Sequence, residues 1–116
     1  MLLADTSVWV DHFRNGNSTL ADQLQDGQVW MHPFILGELS CGNLPQRKST
    51  LEDLASLPAV TSASDEEVLE MIESHRLFGR GLGWIDAHLL AAARLSHCRF
   101  WTLDRRLADV ARELSS

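Results

Sequence analysis

Four acidic residues stand where a charge is costly. Asp5 follows the apolar run "MLLA", and Glu38 lies inside "FILGELSCG", a stretch otherwise free of charge. Asp86 sits near the head of the apolar segment "GLGWIDAHLLAAA", and Asp104 closes "RFWTLD". A carboxylate among apolar neighbours carries a desolvation cost unless it is paired or holds a cation. Carboxylates gathered in one place repel one another unless a divalent cation lies between them. Oxygen ligands without Cys or His favour Mg2+ or Mn2+ over zinc. Such an ion orients a water, lowers its pKa and neutralises charge on a scissile phosphate. Thr6 and Ser7 beside Asp5, and Thr102 beside Asp104, can add hydroxyls. Each residue also has a plainer role open to it. Asp5 can cap a helix, Asp86 can favour a helix start, Glu38 can lie on a solvent-facing stripe, and Asp104 can open a turn. The hydroxyls can bond within local turns.

The elements that would position these residues are legible in outline. Four short runs read as strands: "LLAD", "QVWMH", "AVTSA" and "RFWTLD". Helical patterns lie between them. "VWVDHFRNG" closes at Asn15-Gly16, and "STLADQLQDG" stops at Gly27. Pro33 suits the start of "PFILGELSCG". "STLEDLASLP" opens with Ser49 and Glu52 in capping-box spacing, and Ser64 and Glu67 repeat it at the head of "SDEEVLEMIESHRLFG". "GWIDAHLLAAARLSHC" is rich in Ala and Leu, and "RRLADVARELSS" is the last helix. Strands separated by helices imply an α/β fold with a parallel sheet covered on both faces. Ligands gather at the carboxyl ends of such strands, where Asp5 and Asp104 fall.

A chain of 116 residues has room for one domain, taken as 1–116. The net charge of −6 argues against indiscriminate binding of nucleic acid. Charge is unevenly spread: residues 1–73 hold 3 Lys+Arg and 12 Asp+Glu, whereas 74–116 hold 7 Arg and 4 Asp+Glu. No run is long enough to cross a membrane, and the first residues lack a secretory pattern. Cys41 and Cys98 are too far apart to form a metal-type pair and read as small buried residues of a reduced, cytoplasmic protein. Trp9, Trp30, Trp84 and Trp101 read as core or dimer packing. His88 stands two residues from Asp86 and should point elsewhere on a helix.

"LLADTSVWVDHF", "ILGELSCGNL", "GLGWIDAHLLAAARL" and "FWTLDRRL" together resemble the four acidic motifs of the PIN-domain ribonucleases, and most of all the VapC-type toxins of bacterial toxin–antitoxin pairs. Any one motif is weak, but four in order, from Asp5 to Leu107, are specific. The resemblance implies a three-layer sandwich, with a small parallel sheet between helices. It implies a Mg2+- or Mn2+-dependent endoribonuclease, a homodimer, and inhibition by a cognate antitoxin protein. Asp5, Glu38, Asp86 and Asp104 fall on the family's acidic positions, with Asp104 holding the metal directly or through water. Thr6 or Ser7, and Thr102, fall on its hydroxyl positions. Many relatives carry another Asp shortly after the fourth acid, where this chain has "RRLADV". The chain ends in "ARELSS" without the final edge strand of many relatives, so four strands are expected. Arg76, Arg80, Arg105 and Arg106 could touch RNA phosphates, although soluble surface is the commoner role of such residues. Cleavage would leave a 5′-phosphate and a 3′-hydroxyl. The rival reading is a catalytically silent domain of the same fold that binds a partner protein. A receiver-like domain would need a Lys near a late strand end, and Lys48 is the only one.

Overall fold

Leu2, Leu3 and Ala4 form strand β1 (Leu2–Ala4), and all three are buried. Successive strand residues point to opposite faces, so both faces of β1 are covered. The structure, a computed structural model, describes residues 1–115. After β1 come α1 (Thr6–Asn15), α2 (Ser18–Gln25), β2 (Val29–Trp30), α3 (Pro33–Ser40) and α4 (Arg47–Ala55). Then follow α5 (Asp65–Ser74), α6 (Trp84–Leu95), β3 (Arg99–Trp101) and α7 (Arg105–Ser115). The sheet order is β2-β1-β3, and both pairings are parallel. Leu2 lies opposite Val29 on one side and Arg99 on the other.

The α/β class and the helix-flanked parallel sheet agree with expectation, but the strand count does not. Among the described residues, the sheet has three strands instead of four. "AVTSA" contributes a single bridge, from Ala59 to Met31. Met31 N–H donates to the Pro58 carbonyl and Val60 N–H to the Met31 carbonyl. The ladder stops there because its partner strand runs out: Thr61 would pair with Pro33, which has no N–H and already opens α3. The Thr61 amide faces away from β2 and donates to the Ser96 hydroxyl at 2.8 Å.

Helix starts follow local chemistry. Asn17 caps α2 by accepting from Leu20 N–H at 2.9 Å. Ser64 and Glu67 form the reciprocal capping box of α5, at 2.9 and 3.1 Å. The same spacing misleads at Ser49. Helix α4 begins at Arg47 after a left-handed Gln46, and the Ser49 hydroxyl donates back to the Gln46 carbonyl at 3.0 Å.

Helix α6 is the spine. Every residue from Ala87 to Ala93 is buried, as expected of a helix enclosed on all sides. Leu89, Ala92 and Ala93 join the core with Leu3, Val8 and Trp9. Ala87, Leu90 and Ala91 join a second core with Val68, Met71, Leu107 and Val110. The loop entering α6 is tight. Gly81 has φ 80°, and a Cβ there would lie 2.5 Å from Arg106 Nη1. The turn before Asp86 is thereby braced against the first turn of α7.

Cys41 is exposed and Cys98 half-buried, which corrects their reading as buried residues; both are free thiols. Cys41 caps the C-terminal end of α3 at the surface, whereas Cys98 lies between α6 and β3 and packs against the edge of the first core. Among the described residues, no helix is long and apolar enough to cross a membrane.

Candidate acidic site at the strand ends

Asp5 lies where β1 hands over to α1, and is 7% exposed. Its Oδ1 accepts from Ser7 N–H at 3.0 Å, Ser7 hydroxyl at 2.5 Å and Val8 N–H at 3.4 Å. Its Oδ2 accepts from the Thr102 hydroxyl at 2.6 Å. The cap and the site are therefore one residue. Oδ1 is saturated, whereas Oδ2 keeps a lone pair for another ligand. Four donors hold the carboxylate still and offset its burial.

The hydroxyls stitch separate elements together. The Ser7 and Thr102 oxygens are 3.4 Å apart, and Ser7 accepts from Leu103 N–H at 3.0 Å. Thr102 accepts from Asp104 N–H at 3.0 Å. Asp104 is exposed and caps α7, its Oδ1 accepting from Arg106 and Leu107 N–H at 3.0 and 3.3 Å. The Thr6 hydroxyl donates to Glu38 Oε1 at 2.9 Å, which ties the exposed Glu38 of α3 to the first turn of α1. Asp86, half-exposed in the first turn of α6, accepts from Gly83 N–H at 3.2 Å. Ser7 and Thr102 thus join Asp5 to the Asp104 backbone in one hydrogen-bonded network, and Thr6 and Glu38 form a separate pair beside it in sequence. Among the described residues, Asp86 makes no hydrogen bond to either.

Among the described residues, no three Asp, Glu, His or Cys side chains converge closely enough to enclose a metal ion. The donor set still suits a hard cation. Mg2+ keeps several waters and is usually held by one or two carboxylates plus substrate phosphate, so a closed protein cage is not required. Oxygens remain for it: among the described residues, Oε2 of Glu38, Oδ1 of Asp86 and Oδ2 of Asp104 carry no hydrogen bond, their bonds being made by the other oxygen of each carboxylate.

Comparison with known proteins adds what geometry alone does not. The chain matches the PIN domain over residues 2–113. It is 40% identical to Ribonuclease VapC32 of Mycobacterium tuberculosis, both in strain CDC 1551 / Oshkosh and in strain ATCC 25618 / H37Rv. That match spans 114 residues, 97% of this chain and 92% of the relative. The chain belongs to the PIN-domain family.

This PIN domain also buries two histidines, His32 and His88, for which spacing along the chain offers no role. His32 ends the run after β2 and caps α3, the helix that carries Glu38. Its Nδ1 accepts from Phe34 N–H at 2.9 Å, and its Nε2 is buried without a partner. His88 is also buried, with Nε2 3.1 Å from Asp65 Oδ1 but not aligned for a hydrogen bond. It points away from Asp86, as expected of a position two residues along. The Phe34 ring packs between the two histidines, and Trp84 packs edge-on against His88. The available signal for His32 was a ring nitrogen placed just before Pro33 at a helix start.

Burial, and then the charge of His88, push the His32 pKa down from 6.5 to about 4. Folding therefore favours neutral His32. The stability this contributes is complete above pH 6.5, where the unfolded ring is also neutral, and is lost as pH falls towards 4. The gap corresponds to an upper bound of about 3–4 kcal/mol. His32→Asn keeps a capping acceptor and removes the titration. Urea midpoints at pH 7 and pH 4.5 should differ less for that variant than for the parent. Equal pH sensitivity would exclude His32 as the source.

The arginines are not alike. Arg80 forms a two-point ion pair with Glu113, at 2.5 and 2.9 Å. That bond holds Glu113 below and Arg80 above their ordinary pKa values. Arg106 lies over Gly81. Arg76 and Arg105 are exposed. Trp9 is buried, Trp30 and Trp101 are half-buried, and Trp84 is exposed.

Proposed function

We propose that this chain is a metal-dependent endoribonuclease acting as the toxin of a toxin–antitoxin pair. The observation that carries the reading is the 40% identity to a ribonuclease over 97% of the chain. Asp5, Glu38 and Asp86 would hold Mg2+ or Mn2+, and Asp104 would assist directly or through water. A bound ion of this kind supplies a water of lowered pKa and positive charge at the scissile phosphate. The chain's own residues do the positioning. Ser7 and Thr102 lock Asp5, leaving one face of Oδ2 open. Thr6 sets Glu38, and the Gly83 amide sets Asp86. Arg76, Arg105 and Arg106 face phosphates of the RNA; Arg80, committed to Glu113, contributes less. Hydrolysis would leave a 5′-phosphate and a 3′-hydroxyl.

The partner would be a cognate antitoxin whose basic residue reaches the acids. The exposed apolar patch of Phe34, Trp84 and Ile85 supports a homodimer. Brief expression should arrest growth, and mapping of new RNA 5′ ends should give discrete 5′-phosphorylated sites. Asp5→Asn at equal protein level should relieve the arrest and erase those sites. Growth arrest without new ends would favour the silent interaction domain.

A further inference from the structure

The sheet has an open edge that the proposed chemistry does not use. Among the described residues, strand β3 is outermost and pairs only with β1. Arg99 N–H donates to the Met1 carbonyl at 3.1 Å, and the Trp101 carbonyl accepts from Asp5 N–H at 2.9 Å. Parallel strands alternate the side to which their backbone groups point. Arg99 and Trp101 therefore face β1, and the N–H and carbonyl of Phe100 face outward. Along this edge runs a cavity of about 800 Å3, walled by Leu90 of α6 and Leu114 of α7. It is the space a further strand would fill, with apolar surface for side chains pointing either way.

Its rim is basic. Arg94, Arg99, Arg105 and Arg112 line the cavity against a single acid, Asp109, which Arg112 already engages. Arg94 lies 2.9 Å from His75 Nε2, whereas Arg99 and Arg105 have no ion-pair or hydrogen-bond partner among the described residues. On a chain of net charge −6 this is a local reversal of sign. Like charges on a second copy would repel edge-to-edge pairing. The aromatic rings of Phe100 and Trp101 pack towards the core, which disfavours base stacking. The geometry points to β-strand addition: an extended segment of a partner protein, apolar at its centre and acidic at its ends, pairs with β3 at Phe100. This inference stands independently of the metal chemistry, although Thr102 lines the same cavity and binds Asp5.

The test uses the full chain and three probes. One is a short synthetic peptide, valine-rich with aspartates at both ends. The second is the same peptide N-methylated at alternate amides. The third is oligouridine. In the free protein the Phe100 amide should exchange with solvent faster than those of Arg99 and Trp101. The first peptide should slow Phe100 exchange at least about tenfold. N-methylation, or Arg99→Glu in the protein, should weaken binding by at least about tenfold. Three outcomes overturn the proposal: no protection at Phe100 by the peptide, equal binding of the N-methylated form, or protection by oligouridine in place of the peptide.

Discussion

Asp86→Asn should lower RNA cleavage by about 10²–10³-fold, the usual loss when one group that stabilises transition-state charge is removed. The substitution changes little else. Asp86 is half-exposed and bonds only Gly83 N–H, an acceptor role that the Asn carbonyl can keep. The charge also favours the start of α6, so its loss should cost about 0.3–1 kcal/mol. Steady-state cleavage and urea unfolding of the same preparation separate the two effects. Cleavage within threefold of the parent would remove Asp86 from the site.

Asp5 should respond more severely, and in two distinguishable ways. Asp5→Ala strips the cap from α1 and leaves the Ser7 and Thr102 hydroxyls and two backbone amides without their acceptor. Hydrogen bonds to a charged group are worth about 1.5–3 kcal/mol each, but the orphaned donors can partly find water. A net loss of about 2–4 kcal/mol and complete loss of cleavage are expected. Asp5→Asn retains the capping oxygen and should lose cleavage as fully with a smaller loss of stability. Equal destabilisation by both variants would mean that the charge, more than the cap, holds this corner together.

Much of this arrangement is written in local sequence. Three apolar residues followed by Asp5 and two hydroxyl residues announce a strand running into a capped helix. Ser64 and Glu67 announce another helix start in the same way. What failed did so because the path of the chain, more than composition or spacing, decides. "AVTSA" has the composition of a strand, yet its partner turns into α3 at Pro33 after a single bridge. Ser49 has the spacing of a cap, but the chain had already turned at Gln46. The hydroxyl link from Thr102 to Asp5 joins residues 97 positions apart, and no periodicity encodes it. The four acids illustrate the same limit. Their order matches the family motifs, whereas their separations depend on how α3, α6 and α7 pack around the strand ends. Asp5 and the Asp104 backbone share the Thr102 hydroxyl, Glu38 is tied only to Thr6, and Asp86 stands apart on α6. The role of His32 was hidden because burial, not sequence, sets its titration.

Under the proposed function, these carboxylates hold divalent metal together. Thermal melts of the parent and Asp86→Asn, each in EDTA and in saturating Mn2+, test it most directly. A ligand that binds only the folded state raises its stability in proportion to the logarithm of occupancy. Mn2+ should therefore raise the melting temperature of the parent clearly and that of Asp86→Asn much less, with the two proteins close together in EDTA. Equal shifts in both, or no shift in the parent, would contradict the shared site.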